Sequence, residues 1–217
     1  MKGIKTYLSV YPGIYKVIVL IIVPVSMLII ASTAGLITGE STANYHPELW
    51  IVGGIAVYSE LFGEMFSIGT ICSKKRTFGD FVLSSPKEKL FVKRFATVDV
   101  LRKIVLYPAI CVLSQVILML FGCPEPNIPE ALIVGLATAA ALNLGIMIYR
   151  NTSVMMMVMV VYLVMGAGWT VLVMPYIFAT NTAVKCIFAV LTIAAAALTA
   201  FFGAKNVIRH TEGDKYD

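Results

Sequence analysis

Six stretches of this chain are apolar over roughly 20 residues each, the length that an α-helix needs to cross the hydrocarbon core of a bilayer. Charged residues make up only 13% of the 217 residues, and the mean hydropathy is +0.88. Soluble proteins average about 25% charged residues, so a soluble globular domain is excluded as the main interpretation. The predicted spans are Val17–Thr38, Trp50–Cys72, Ile104–Cys123, Ala131–Tyr149, Ser153–Phe178 and Ala183–Ala204.

The predicted fold class is therefore all-α, a polytopic integral membrane protein with six transmembrane helices. Six helices of about 20 residues use roughly 120 residues, so the remainder leaves no room for a second folded domain. We expect an interfacial helix over residues 1–16, a six-span domain over residues 17–204 and a tail over residues 205–217. A long loop over residues 73–103 separates spans two and three.

The basic residues determine the predicted orientation. With the N-terminus in the cytoplasm, 16 of the 17 Lys and Arg residues fall in cytoplasmic segments and only Lys185 falls outside. Because cytoplasmic loops carry the excess of Lys and Arg, both termini and segment 73–103 are expected on the cytoplasmic side of the cell membrane. The net charge of +5 and pI near 9.0 then reflect orientation and do not indicate a nucleic-acid partner.

The first 16 residues show helical amphipathicity. Lysine and serine residues occupy one side, and the bend expected at Pro12 and Gly13 precedes the first span. Tyrosine and lysine suit the lipid headgroup layer, which predicts an interfacial helix bound to membrane lipid. A basic leader that only sets orientation is the alternative. The apolar and aromatic side consists of Ile4, Tyr7, Leu8, Tyr11, Ile14 and Tyr15.

Segment 73–103 contains a helix start. Ser85 can cap the helix, Pro86 fits its first position, and Glu88 follows three residues after the cap. A cytoplasmic helix is therefore expected from Pro86 into the third span. Its apolar stripe is predicted to comprise Leu90, Phe91, Phe95, Val98 and Leu101.

Two features of this segment point to interactions. Asp99 can pair with Arg102 or Lys103, which lie three and four residues further along the helix. The basic charges alone also fit a solvated loop that enforces topology. Exposed apolar residues in so short a loop, in contrast, need lipid or a protein partner to cover them. These apolar residues are Phe78, Phe81 and Leu83.

Glu60 and Glu64 lie one turn apart within the second span. Glu60 is ten residues, or about 15 Å, from Trp50, an expected outer anchor, and so near the bilayer centre. An unpaired charge there costs about 2.5 to 3.5 kcal/mol. No Lys or Arg occurs in the apolar core of another span, so no ion-pair partner is evident. We expect protonated, hydrogen-bonded carboxyls, or carboxylates that face a bundle interior, a subunit interface or a water-filled path.

Proline and small residues predict where the helices bend and pack. Pro24, Pro108 and Pro175 can kink the first, third and fifth spans. Gly166 and Gly168 loosen the fifth span, which predicts a broken or re-entrant outer end there. The small residues of 137–141 and 194–197 are expected to let helices pack closely.

The sequence lacks the residue patterns that several kinds of chemistry require. A glycine-rich phosphate loop ending in Gly-Lys-Ser or Gly-Lys-Thr is missing, so ATP would have to be used by another chain. The histidines, His46 and His210, lie outside the spans, and the cysteines show no metal-binding or redox spacing. We expect no enzyme, no metal and no cofactor bound by this chain.

The layout resembles the membrane subunits of the type 2 family of ATP-binding-cassette exporters, particularly small bacterial permeases for peptides, lantibiotics or drugs. Residues 78–94, with Leu83, Ser84, Ser85 and Pro86, look like that family's coupling region. The resemblance implies an ATPase subunit and a second six-span permease as partners. It places Glu60 and Glu64 at the dimer interface or in the substrate path. The residues it would place against the ATPase are Phe78, Phe81, Leu83, Lys87 and Arg94.

Two other classes of function stay open at this stage. A standalone secondary transporter or channel would use Glu60 and Glu64 to bind a proton or cation. A structural or assembly membrane protein would show neither flux nor an ATPase partner. The sequence does not identify the substrate or distinguish a homodimer from a heterodimer.

Overall fold

A computed structural model describes residues 2–10, 13–38, 47–66, 88–122, 127–151 and 157–213. Nearly all of these residues are helical, and no β-strand occurs within these ranges, so the predicted all-α class is confirmed. A π-helical segment, Ile18–Ile22, leads into the third α-helix. The α-helices are α1 (Lys2–Val10), α2 (Gly13–Val17), α3 (Val23–Thr38), α4 (Pro47–Phe66), α5 (Glu88–Leu120), α6 (Ile128–Asn151), α7 (Met157–Phe178) and α8 (Thr182–Gly213).

Five of these helices are long and apolar enough to cross a membrane, which is consistent with a membrane location. Their apolar stretches lie in the π-helical segment with α3, and in α5, α6, α7 and α8. The other predicted span falls on α4, where the apolar stretch is shorter, Leu49–Glu60. The ends of the predicted second and fifth spans, residues 67–72 and 153–156, lie outside the described residues.

Helix α6 lies at the centre of the bundle and packs against α4, α5, α7 and α8. Its alanines at 137, 139, 140 and 141 are buried, which confirms the close packing predicted for this stretch. The prediction for residues 194–197 of α8 is partly confirmed, since Ala196 is buried and Ala195 half-buried, whereas Ala194 and Ala197 are exposed. Helix α8 packs on α5, α6 and α7 through one side only, so the exposed alanines lie on its other side.

Helices α5 and α6 approach one another closely where Gly135 meets Pro108. A Cβ atom built on Gly135 would lie 2.4 Å from the Cα atom of Pro108. The contact atom belongs to the backbone and cannot rotate away. Glycine is therefore required here for the two helix axes to keep their present separation.

We predict that Gly135→Ala lowers the free energy of unfolding by about 1 to 3 kcal/mol, because it overpacks the contact with Pro108. Gly168→Ala is the matched control, since a Cβ atom there meets nothing within 4 Å. Thermal unfolding of the detergent-solubilised chain measures both effects. An equal change in the thermal unfolding of the two variants would show that the α5–α6 contact is not tight.

Two prolines behave differently from one another. Pro24 lies two residues after the end of the π-helical segment, where Val23 donates its backbone N–H to the carbonyl of Ile18. The predicted broken end of the fifth span is wrong, because α7 continues through Pro175 to Phe178. Pro175 lies in the last turn, where the loss of one backbone hydrogen bond does not interrupt the helix.

Helix α5 is continuous from Glu88 into the predicted third span, as predicted, while the predicted cap Ser85 and first helical residue Pro86 lie outside the described residues. The predicted apolar stripe is only partly correct: Phe95 is buried, but Leu90 and Leu101 are exposed. The inward face instead includes charged residues, which are buried because they pair with one another. Its buried members recur every three or four positions: Val92, Phe95, Ala96, Asp99, Val100, Lys103, Tyr107, Ile110, Cys111, Ser114, Gln115 and Leu118.

Candidate functional site

Four ionisable side chains meet where α4 and α5 pack together. We define the charged cluster as Glu60, Asp99, Arg102 and Lys103. Glu60, Asp99 and Lys103 are at most 6% exposed, and the side chain of Arg102 is 11% exposed. Burial of this many charged groups needs compensating partners, because each loses its hydration.

Glu60 is held by two donors from α5. The Nη2 atom of Arg102 lies 2.6 Å from Oε1 and 2.5 Å from Oε2 of Glu60. The Tyr107 hydroxyl donates to Oε1 at 2.5 Å. The carboxylate is thus satisfied by one cation and one neutral hydroxyl.

The prediction that Glu60 has no ion-pair partner is therefore wrong. Arg102 lies two residues before Ile104, the predicted start of the third span, and so was counted with the cytoplasmic loop. Helix α5 runs through both regions without a break. Arg102 is 42 residues from Glu60 in sequence, and helical periodicity within α4 carries no information about it.

Asp99 balances the remaining charge. The Nζ atom of Lys103 lies 2.5 Å from Oδ2 of Asp99, and Nη2 of Arg102 lies 3.8 Å from Oδ1. The predicted pairing of Asp99 with Arg102 or Lys103 is confirmed, with Lys103 closer. Two acidic and two basic groups give the charged cluster no formal net charge, which makes its burial tolerable.

Tyr7 connects α1 to the same place. Its ring is 2% exposed, stacks on Phe95 with centroids 5.1 Å apart, and lies 5.8 Å from the Cζ atom of Arg102. The distance to Arg102 is typical of a cation–π contact. Helix α1 is therefore docked on α5 through a small aromatic and apolar core.

The predicted lipid-facing side of the N-terminal helix is thus partly packed against the protein and partly exposed. Tyr7 is buried and Leu8 partly buried against the protein, whereas Ile4 and Ile14 are 58% and 70% exposed. Only the exposed pair is available to lipid among these four. The predicted bend falls on Pro12, which lies outside the described residues, and on Gly13, where α2 begins.

A cavity of about 10 Å³ lies beside the Glu60–Arg102 contact. Its walls include Pro24 and Met27 of α3 and Ser59 of α4. The Nε atom of Arg102 is buried and has no hydrogen-bond acceptor among the residues that the structure describes. A cavity of this size admits about one water molecule and no larger ligand. The arrangement suits a fixed junction between helices and offers no room for a transported solute.

The remaining predicted site residues are placed as follows. Arg94 lies in α5, partly exposed, eight residues before Arg102 and so about 12 Å from it along the helix. The structure does not bring Arg94 to Glu60. Glu64 belongs to α4, but its side chain lies outside the described set. Four residues of the predicted ATPase contact lie outside the described ranges: Phe78, Phe81, Leu83 and Lys87.

The sequence interpretation missed Tyr7 and Tyr107 as partners of the charged cluster. Two features of the sequence could have identified Arg102 as the partner of Glu60. Arg102 lies at the start of one long apolar run, and Glu60 is an acidic residue within another. Among the described residues, no group of three His, Cys, Asp or Glu side chains is placed to hold a metal ion.

Comparisons with known proteins give no relative. The chain matches no protein-family model, no curated protein and no solved structure.

We predict that replacing one partner of the Glu60–Arg102 pair is far more harmful than replacing both. Glu60→Met or Arg102→Met alone leaves a buried charge without its main partner and should lower the free energy of unfolding by about 3 to 5 kcal/mol. The double variant should lose less free energy of unfolding than the sum of the losses in the two single variants. Thermal unfolding in detergent gives the four values of the cycle.

Lys93→Met is the control for that cycle, because Lys93 lies exposed on the same helix and should change stability by no more than about 0.5 kcal/mol. Additive losses at Glu60 and Arg102 would show that the two side chains do not interact.

We predict that Tyr7→Ala lowers the free energy of unfolding by about 3 to 5 kcal/mol, because it empties the aromatic contact between α1 and α5. Tyr7→Phe keeps the ring and should lose much less. Ile4→Ala, at an exposed position of the same helix, should change stability by about 0.5 kcal/mol or less. Protease cleavage within residues 1–16 should accelerate in Tyr7→Ala only; equal cleavage of all three variants would contradict docking through Tyr7.

Proposed function

We propose that this chain is the permease subunit of an ATP-driven exporter. It would have six membrane spans, both termini in the cytoplasm and no ATPase of its own. Two such subunits, identical or different, would assemble with a separate ATP-binding-cassette ATPase and export a peptide, lantibiotic or drug-like substrate. The proposal rests on the resemblance of the layout, on the distribution of Lys and Arg, and on one structural observation.

That observation is the continuity of α5 together with its charged contact to α4. The 33 residues of α5 extend about 50 Å, whereas the hydrocarbon core is about 30 Å thick. About 20 Å of helix would project beyond the core. In the proposed orientation this projection is the N-terminal part of α5, where Lys93 is exposed and Arg94 partly exposed on the cytoplasmic side.

The charged cluster supports a mechanical role for this projection. Arg102 binds Glu60 of α4 and contacts Tyr7 of α1, so three helices are joined at one level of α5. A force applied by an ATPase near Arg94 would act on α1, α4 and α5 together. ATP binding and hydrolysis in the partner would supply that force.

The alternative is a secondary transporter or channel in which Glu60 and Glu64 exchange a proton or cation. Such a carboxylate must release its partners and reach water during each cycle. Glu60 accepts hydrogen bonds from Arg102 and Tyr107 and adjoins a cavity for about one water molecule. This geometry favours a fixed structural contact over a carrier site.

We predict that Lys87→Glu combined with Arg94→Glu prevents stable binding of the ATPase subunit while the chain still inserts in the membrane. The reason is that reversal of two charges replaces attraction by repulsion at the proposed contact. Phe81→Asp should act in the same way by placing a charge in an apolar contact. Purification in mild detergent, mass spectrometry and an ATP hydrolysis assay measure the effect.

Lys185→Glu is the matched control, since Lys185 lies near the opposite end of α8, about 30 Å along the helix from Ala204, which packs on α5 beside Arg94. The original chain and this control should both retain a protein that carries a Gly-Lys-Ser or Gly-Lys-Thr phosphate loop and hydrolyses ATP. Proton-driven flux by the chain alone in vesicles, abolished by Glu60→Gln, would instead support the secondary transporter.

A further inference from the structure

A second, larger cavity lies between α4, α6 and α7, away from the charged cluster. This cleft has a volume of about 280 Å³. Trp50 and Trp169, the two tryptophans of the chain, form part of its wall with their ring centroids 4.6 Å apart. The sequence interpretation did not bring these two residues together.

The cleft is suited to an uncharged, apolar occupant. None of its lining residues carries a charge. The indole N–H of Trp169 already donates to Oγ1 of Thr138 at 3.0 Å, and the hydroxyl of Thr170 donates to the carbonyl of Gly166 at 2.8 Å. The indole N–H of Trp169 and the hydroxyl of Thr170 are therefore satisfied within the protein, so these two groups require no polar partner from a ligand.

The shape of the cleft follows the helix axes. On α4 its lining runs from Trp50 to Val57, seven residues or about 10 Å along the helix. The indole of Trp169 lies against α4 at Gly53, where a Cβ atom would be in ordinary van der Waals contact with its Nε1 atom at 3.4 Å. An occupant would therefore lie parallel to the helices, as an acyl chain of the surrounding bilayer does.

The side of the cleft is continuous with the apolar surface of the protein. Gly54, Gly166 and Thr170 line the cleft and are exposed. Next to them Leu163 and Val171 of α7 are 72% and 64% exposed. In a membrane these side chains contact lipid, so lipid has direct access to the cleft.

We propose that this cleft binds one acyl chain of a membrane lipid, held against Trp50 and Trp169 and parallel to α4 and α7. This site is separate from the ATPase contact, and the test below needs no ATPase.

The test uses the tryptophans as reporters. The full chain is reconstituted in phosphatidylcholine vesicles that contain increasing fractions of a phosphatidylcholine brominated in mid-chain, and tryptophan fluorescence is recorded. A bound chain gives a saturable quenching component at low fractions of brominated lipid, followed by a gradual rise from surrounding lipid. A gradual rise alone from the original chain would overturn the proposal.

Variants that fill the cleft provide the second arm. Cβ atoms at Gly54 and Gly166 meet nothing within 4 Å, so Gly54→Leu with Gly166→Leu can occupy the space without a clash. This variant should lose the saturable component. Gly168→Leu is the matched control, because its Cβ position is equally open but Gly168 does not line the cleft. The control should keep the saturable component.

Thr170→Leu is a second variant that fills the same space. It is used in place of the glycine variant if circular dichroism shows that the glycine variant does not fold. Retention of the saturable component in a folded, cleft-filled variant would overturn the proposal. A tryptophan signal that changes with protein density and not with brominated lipid would indicate a second copy of this chain in the cleft, and would equally overturn it.

Discussion

Charged side chains among apolar helices persist only when each has a partner, and in this chain that requirement determines how α4 and α5 fit together. Arg102 reaches both carboxylate oxygens of Glu60, and Tyr107 reaches one of them. A slip of one helical turn, about 5.4 Å, would separate all three groups and leave buried charges unpaired. Apolar packing tolerates small displacements, whereas this contact does not. The charged cluster therefore sets the relative position of the two helices.

The other contacts are arranged around that position. Tyr7 places α1 on the face of α5 that carries Arg102, and the π-helical segment before Pro24 brings α3 against the cavity beside Glu60. Further along α5, Gly135 of α6 allows close contact at Pro108. One region of the bundle is thus held by charge and aromatic contacts. The region around Trp50 and Trp169 is held by apolar packing and contains the larger cleft.

The sequence predicts the helices of this fold well and the charged cluster poorly. Apolar length locates α5, because it is a local signal within one segment. The Glu60–Arg102 contact depends on how two helices rotate and align, which no local pattern records. Arg102 falls within the predicted loop over residues 73–103, so the sequence offers no basic residue inside a span as a partner for Glu60. The alanines of residues 194–197 on α8 are only partly correct as a packing signal for a similar reason, since a run of small residues does not specify which face meets a neighbour.

The geometry also limits which helices could move in an exporter of the proposed kind. Separation of α4 from α5 would expose a neutral but strongly interacting set of charges to an apolar surrounding, at a cost of several kcal/mol. These two helices, with α1 attached through Tyr7, should therefore move as one body. Alternating access would then open along other contacts, and the peripheral helices α7 and α8 have mostly apolar packing that is less sensitive to displacement. A lipid chain between α4 and α7 would lie along one such contact, where its presence would change the energy of any separation.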